Sequence, residues 1–295
     1  MLCTLVVSQL LPDAVVIKGG MGIKLRLGER GTRATSDLDV STTARGEAFS
    51  RDLAVRLARG WGSVPASRGA RRRDPGAPER VAFTATVRAG KAHDPGLGRP
   101  EYVMHPYRVS IAFLGRPWGA LDLEVSDPEA DAGSSGPFQT IDAGLLRFAE
   151  TFGFGELGPV RLVSLESQIA QKIHAVTDPA TERAHDLVDL QVLWAASPDL
   201  PSLRQRCVRT FAWRRQQPWP PLPLRPMHDW ALAYRDAREE TVTSGHSAVL
   251  AEIADARSWL TNLIGAIDAA EEPPASSTEP PLGRRPSGPS GPLGR

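Results

Sequence analysis

Lys18-Gly19-Gly20-Met21-Gly22-Ile23-Lys24-Leu25, followed by Arg33-Ala34-Thr35-Ser36-Asp37-Leu38-Asp39-Val40, is the stretch that decides the fold. Just before it, Ala14-Val15-Val16-Ile17 is a short β-branched apolar run, which predicts a buried strand. Gly19 and Gly20 end that strand, because glycine lacks a Cβ and lets the backbone turn sharply and approach a ligand. A short helix is expected to start near Met21, with Leu25 one turn on. Its free N–H groups and positive dipole end suit a triphosphate. Leu38 and Val40 mark a second strand, in which side chains alternate between faces. Asp37 and Asp39, two apart, therefore point the same way. Two carboxylates on one face attract a hard cation such as Mg2+, or Mn2+ in its place. A pair of such ions can activate a nucleophile and stabilise a leaving pyrophosphate.

A third acid is expected from a neighbouring strand. Trp118-Gly119-Ala120-Leu121-Asp122-Leu123-Glu124-Val125 alternates, with Leu121, Leu123 and Val125 on one face and Asp122 and Glu124 on the other. Asp122 is the first choice for the third metal ligand and Glu124 the reserve; the alternative is an acidic solvent face of an edge strand. Farther on, Leu165, Ile169, Ile173 and Val176 recur at helical spacing behind Ser164, a predicted N-cap. Gln168 and Lys172 share another face of that helix, four residues apart. Only four of the 35 lysines and arginines are lysine, so a mid-helix Lys172 points to a need for a compact ammonium, which suits a phosphate. Asp178-Pro179 ends the helix. A further helix would set Arg183, Asp186 and Asp189 along one face, as an exposed ladder or as part of a site.

Together these four segments resemble the AbiEii/AbiGii family of nucleotidyltransferase-like toxins of abortive-infection and type IV toxin–antitoxin systems. The residues that carry the resemblance are Lys18-Gly19-Gly20, Arg33 with Thr35-Ser36-Asp37-Leu38-Asp39, Lys172-Ile173-His174-Ala175, and Arg183-Ala184-His185-Asp186-Leu187-Val188-Asp189-Leu190. The resemblance implies an α/β (α+β) nucleotidyltransferase, polymerase-β-like fold with a mixed sheet and a helical C-terminal region. It implies a Mg-dependent enzyme that moves a nucleotidyl group from an NTP to an acceptor hydroxyl. The 3′ end of a tRNA is the expected acceptor, which would block translation. Asp37 and Asp39 would hold the metal. Lys18, Gly19, Gly20 and Ser36 would contact the nucleotide phosphates, and Lys172 would bind or polarise the triphosphate. Asp186 would be a general base or an orienting partner for Lys172. A cognate antitoxin is the implied partner. Two other readings stay open: a transferase acting on a small molecule such as an antibiotic or sugar, and a non-catalytic NTP-binding module. The resembled proteins often carry a helical segment ahead of the glycine turn, so the short stretch before Lys18 suggests a late start or a missing cap.

The remaining sequence is consistent with this. At 295 residues and 41% hydrophobic, the chain can bury a substantial core. Cys3 and Cys207 are too few and too far apart for a disulfide framework or a zinc cluster. No apolar run reaches the roughly 18 residues of a membrane span, and the apolar start lacks the basic segment of a signal peptide, so the cytoplasm is the expected location. The net charge of +1 argues against a strong general polyanion binder. Local sets of arginine stand out: Arg68 with Arg71, Arg72 and Arg73, and Arg204, Arg206, Arg209, Arg214 and Arg215 beside Trp213 and Trp219. The second set has the make-up of an RNA contact. The expected organisation is a catalytic core over residues 1–130, a mainly helical region over 131–267 and a disordered tail over 268–295. Within the core, strands around 81–83, 107–111 and 121–123 would form an antiparallel meander, after a helix over 47–59. A Pro-rich break is expected at Pro218–Pro226.

Overall fold

The structure is a computed structural model; it describes every residue except 30, 45, 66–78, 95–102, 131–136, 223, 225–229, 246–247 and 271–295. Arg68, Arg71, Arg72, Arg73, Pro226 and the tail from 271 thus lie outside the described residues.

The glycine turn is built from β1 (Val16–Ile17) and α2 (Gly19–Leu27), preceded by α1 (Leu2–Ser8). The apolar start of the chain is therefore a helix, with Leu5, Val6 and Val7 fully buried. β1 is only two residues long, and α2 begins at Gly19, two residues before the expected Met21. Next come β2 (Leu38–Ser41), α3 (Gly46–Arg59), β3 (Trp61–Pro65), β4 (Glu79–Ala89), β5 (His105–Phe113) and β6 (Arg116–Ser126). These strands form one mixed sheet in the order β1-β2-β6-β5-β4-β3. β4, β5 and β6 are the expected antiparallel meander, and β2 joins it by a parallel pairing with β6. The hairpin residues Leu114 and Gly115, both at positive φ, turn β5 into β6. Alternation decides which face is dry: Leu38, Val40, Leu121, Leu123, Val125, Val109 and Ile111 enter one core with α1 and α3. Asp39, Asp122 and Glu124 take the opposite face.

A short ribbon, β7 (Phe138–Gln139) with β8 (Val160–Arg161), brackets α4 (Ala143–Thr151). The chain then returns to the glycine turn: Leu162 bridges Ile17, and the Val163 N–H donates to the Ile17 carbonyl at 2.9 Å. This delivers α5 (Leu165–Thr177) to the site. Ser164 caps it, accepting from the Ser167 N–H at 3.1 Å, and Asp178 ends it as expected. α6 (His185–Trp194), α7 (Leu200–Arg214), α8 (Trp230–Thr243) and α9 (Ile253–Asp268) follow. Ile169, Ile173, Leu187, Leu190, Leu203, Phe211, Tyr234 and Leu260 form their common apolar core, and Ile23 of α2 joins it. Cys3 and Cys207 are free thiols. Among the described residues no helix is long and apolar enough to cross a membrane.

Candidate active site

The site forms where α2 starts, because β2 passes directly over it. Gly19 is in the left-handed region at φ +65, and a Cβ there would lie 1.9 Å from Asp39 Oδ2. Only glycine lets the Asp39 carboxylate rest against this turn. The Lys18 N–H donates to the Asp39 carbonyl at 2.9 Å, which fixes the two segments together. No side chain caps the start of α2. Its first N–H groups and the positive end of its dipole are therefore directed to whatever anion enters.

The register of the parallel pair then selects the second acid. Asp39 stands opposite Glu124, not Asp122. Asp122 faces Arg108 on β5 and is ion-paired with it at 2.8 Å, with both side chains more than half exposed. Glu124, the reserve, is thus the acid on Asp39's rung, and Asp122, the first choice, lies two residues back along β6. The reason is register: the parallel pairing of β2 with β6 runs from Leu38–Leu123 onward, so Asp39 meets Glu124 and Asp122 lies just before the paired stretch. Burial holds the Asp39 carboxyl above its usual range, and nearby Asp37 adds to this, while Lys18, Lys172 and Arg183 pull the other way. Burial also raises Glu124, and Asp39 and Asp37 raise it further. Asp37 itself is exposed, just before β2, and accepts from the Ser36 hydroxyl at 2.7 Å. Lys18 Nζ donates to Ser126 Oγ at 2.8 Å, one step beyond Glu124 on the same face of β6.

These acids suit a hard divalent cation by donor type. Their mutual repulsion is what such a cation would relieve. Among the described residues, no three His, Cys, Asp or Glu side chains are close enough together to cage a metal ion.

The helical half supplies the cations. Lys172 of α5 is 7% exposed and donates to Asp186 Oδ1 and to Asp189 Oδ2, each at 2.6 Å. Burial alone would lower its pKa; Asp186 and Asp189 override this and raise it. Arg183 pairs with Asp186 at 2.9 Å, and Arg33 reaches Asp189 from the segment before β2 at 3.1 Å. Of the two alternatives for this face, the exposed ladder does not describe its acids, since Asp186 is 0% and Asp189 4% exposed. Arg183 lies in the turn ahead of α6 rather than on it. Burial pushes the Asp186 carboxyl up, but Lys172 and Arg183 more than reverse this and hold it well below the carboxylate range. A carboxylate so held accepts protons poorly.

The sequence did not show the partners of several side chains around the site, and it did not single out Glu129. Gln168 donates from Nε2 to the Gly19 carbonyl at 2.9 Å. Glu129, beyond β6, pairs with Arg214 of α7 at 2.6 Å, and Arg214 also meets His174 Nδ1 at 3.2 Å. Burial works to raise the Glu129 carboxyl, yet Arg214 and then Lys18 bring it below its usual range. Of the arginine-rich set on α7, Arg214 is therefore spent inside the protein. Arg204 holds the Asp268 carbonyl at 3.0 Å, and the Trp219 indole donates to the Asp268 carboxylate at 2.9 Å.

On the other side of Ser126 is a cavity of about 540 Å³ between α3 and the ends of β5 and β6, walled in part by Glu47, Ser50, Tyr107 and Asp127.

Among solved structures, the chain is similar to MenT4, a nucleotidyltransferase toxin of Mycobacterium tuberculosis H37Rv. The two share 20% identity over 90% of this chain and 82% of that one, with a TM-score of 0.49. It is also similar to a structure titled as a nucleotidyltransferase from H. pylori, at 16% identity over 90% of this chain and 92% of that one, with a TM-score of 0.38. No curated protein matches it. Residues 1–259 match the family described as the nucleotidyl transferase AbiEii toxin of type IV toxin–antitoxin systems, and with most of its length so matched the chain belongs to that family.

Proposed function

We propose that the protein transfers a nucleotidyl group from an NTP to the hydroxyl of an RNA 3′ end, with tRNA as the acceptor and a block of translation as the consequence. The observation that carries the reading is the Asp39–Glu124 rung set beside the uncapped start of α2, with Lys172 and Arg183 acting on Asp39 from the helical half. Phosphates are received by Gly19, Gly20 and the α2 N–H groups, with Lys18 and Ser36 at the edge of the turn. Asp37 and Asp39, with Glu124 on the rung beside Asp39, are the acids that would take Mg2+ or Mn2+, which when bound polarises the phosphate and lowers the pKa of the attacking hydroxyl. Lys172 offers its ammonium to the triphosphate, held for that task by Asp186 and Asp189. The acceptor oxygen bonds to the α-phosphorus, the bond from that phosphorus to the β-bridging oxygen breaks, and pyrophosphate leaves with the hydroxyl proton going to solvent. As in the family's description, the activity is that of a toxin, restrained in the cell by a cognate antitoxin or its gene product.

A small-molecule acceptor is the second reading, and the cavity beside Ser126 with Glu47 and Asp127 in its wall is what favours it. The test compares α-labelled with γ-labelled NTP. Label carried to an RNA from the α position, with the γ label recovered in pyrophosphate, supports the first reading. Label moved only to small hydroxyl compounds supports the second. NTP bound without release of pyrophosphate to any acceptor contradicts both.

A further inference from the structure

Gln168 precedes Lys172 by one turn of α5 and is 2% exposed. Its Nε2 donates to the Gly19 carbonyl at 2.9 Å, while its Oε1 is buried with no hydrogen-bond partner among the described residues. An unpaired buried amide oxygen weakens a fold, and methionine would fill the same volume without one. The backbone is also shaped around this side chain: a Cβ on Gly22 would lie 3.2 Å from Gln168 Nε2, closer than ordinary packing. As packing, the glutamine is a poor choice, so its use lies in the amide N–H it donates.

The recipient of that N–H is the peptide joining Gly19 to Gly20. A peptide unit is planar and trans, so fixing its carbonyl on one side fixes its N–H on the other. That N–H belongs to Gly20, in the uncapped first turn of α2. The same bond steadies Gly19 in its left-handed conformation, on which the seat of the Asp39 carboxylate depends.

We propose that Gln168 is a positioning residue that sets the Gly19–Gly20 peptide, so that the Gly20 N–H faces a triphosphate oxygen while Asp39 keeps its place over Gly19. This rests on the reading of the glycine turn as the phosphate cradle. α5 then serves both ends of the triphosphate site, through Gln168 at the turn and Lys172 one helical turn later.

The test uses inorganic tripolyphosphate with Mg2+, which has the phosphate chemistry and no base, alongside ATP, GTP, CTP and UTP. Gln168→Met is expected to weaken tripolyphosphate binding about tenfold, the effect of one misdirected hydrogen bond to an anion. Its melting temperature should equal or exceed that of the unaltered protein, since the unpaired oxygen is gone. The Gly20 amide should exchange with deuterium faster in the variant. Gln168→Leu serves as the second apolar variant should Gln168→Met fail to fold. Tripolyphosphate affinity unchanged in a folded apolar variant, or lost only in step with a fall in melting temperature, overturns the positioning role and leaves the cradle standing. Unaltered, folded protein that binds neither tripolyphosphate nor any of the four NTPs overturns the cradle and this role with it.

Discussion

Asp39 of β2 and Glu124 of β6 occupy the same rung of a parallel strand pair, and burial and then the Asp39 carboxylate raise the proton affinity of Glu124. Parallel pairing brings together two acids 85 positions apart in the chain and leaves Asp122 to Arg108. If this rung is the heart of the site, Glu124→Gln should lower the rate of nucleotidyl transfer at least 100-fold, about 2.7 kcal/mol of transition-state stabilisation. Asp122→Asn should change it less than about threefold, because an exposed ion pair contributes little. Steady-state rates of the two variants check this, and equal losses would refute the ranking.

Gly19 gives a second prediction, from sterics alone. Gly19→Ala must both hold φ near +65 and displace the Asp39 carboxylate, so activity should fall below detection with a stability loss of at least about 1 kcal/mol. Gly115→Ala is the control. Gly115 is also at positive φ, +81, but nothing lies within 4 Å of its added Cβ. It should show the backbone strain without the loss of activity. Denaturant melts and transfer assays on both variants separate the two effects.

The Lys172 ammonium lies between two buried carboxylates, and removing it strands them. Lys172→Met should cost about 3 kcal/mol, the usual penalty for breaking a buried pair. Adding Asp186→Leu should recover part of that stability by removing the stranded charge, yet restore no activity. Recovery of activity in the double variant would show that Lys172 acts only in folding.

His174 predicts an acid weakness. Burial, then the neighbouring Arg214, push its pKa from 6.5 to about 3, so the native imidazole is neutral. The unfolded chain binds a proton that the folded chain refuses. The stability contribution is complete above pH 6.5 and is lost as the pH falls from there toward 3. The slope is about 1.4 kcal/mol per pH unit. Unfolding free energies between pH 7 and 5 should show this slope. His174→Gln, which keeps an acceptor for Arg214 but cannot titrate, should flatten it.

What the sequence made legible was local. The glycine turn, the strand through Asp39, the meander and the capped helix at Ser164 each follow from a few adjacent residues whose period or cap chemistry is unambiguous, though Asp37 lies just ahead of that strand. What stayed hidden depended on partners far along the chain. Alternation put Asp122 and Glu124 on one face, but only the pairing of β6 with β2 chose between them. Helical spacing aligned Asp186 with Asp189, but the lysine that buries them comes from another helix. Arg214 read as a surface guanidinium because Glu129, its partner, lies 85 residues away. The apolar opening carried no helix expectation, and Leu2–Ser8 is a core helix.

The most direct test incubates the protein with each α-labelled NTP, Mg2+ and total cellular RNA, beside its Asp39→Ala variant. The account predicts label in tRNA-sized species with the unaltered protein, for one NTP above the others, and none with Asp39→Ala. Labelling that survives Asp39→Ala, or folded protein that binds NTP and labels no RNA, would contradict it.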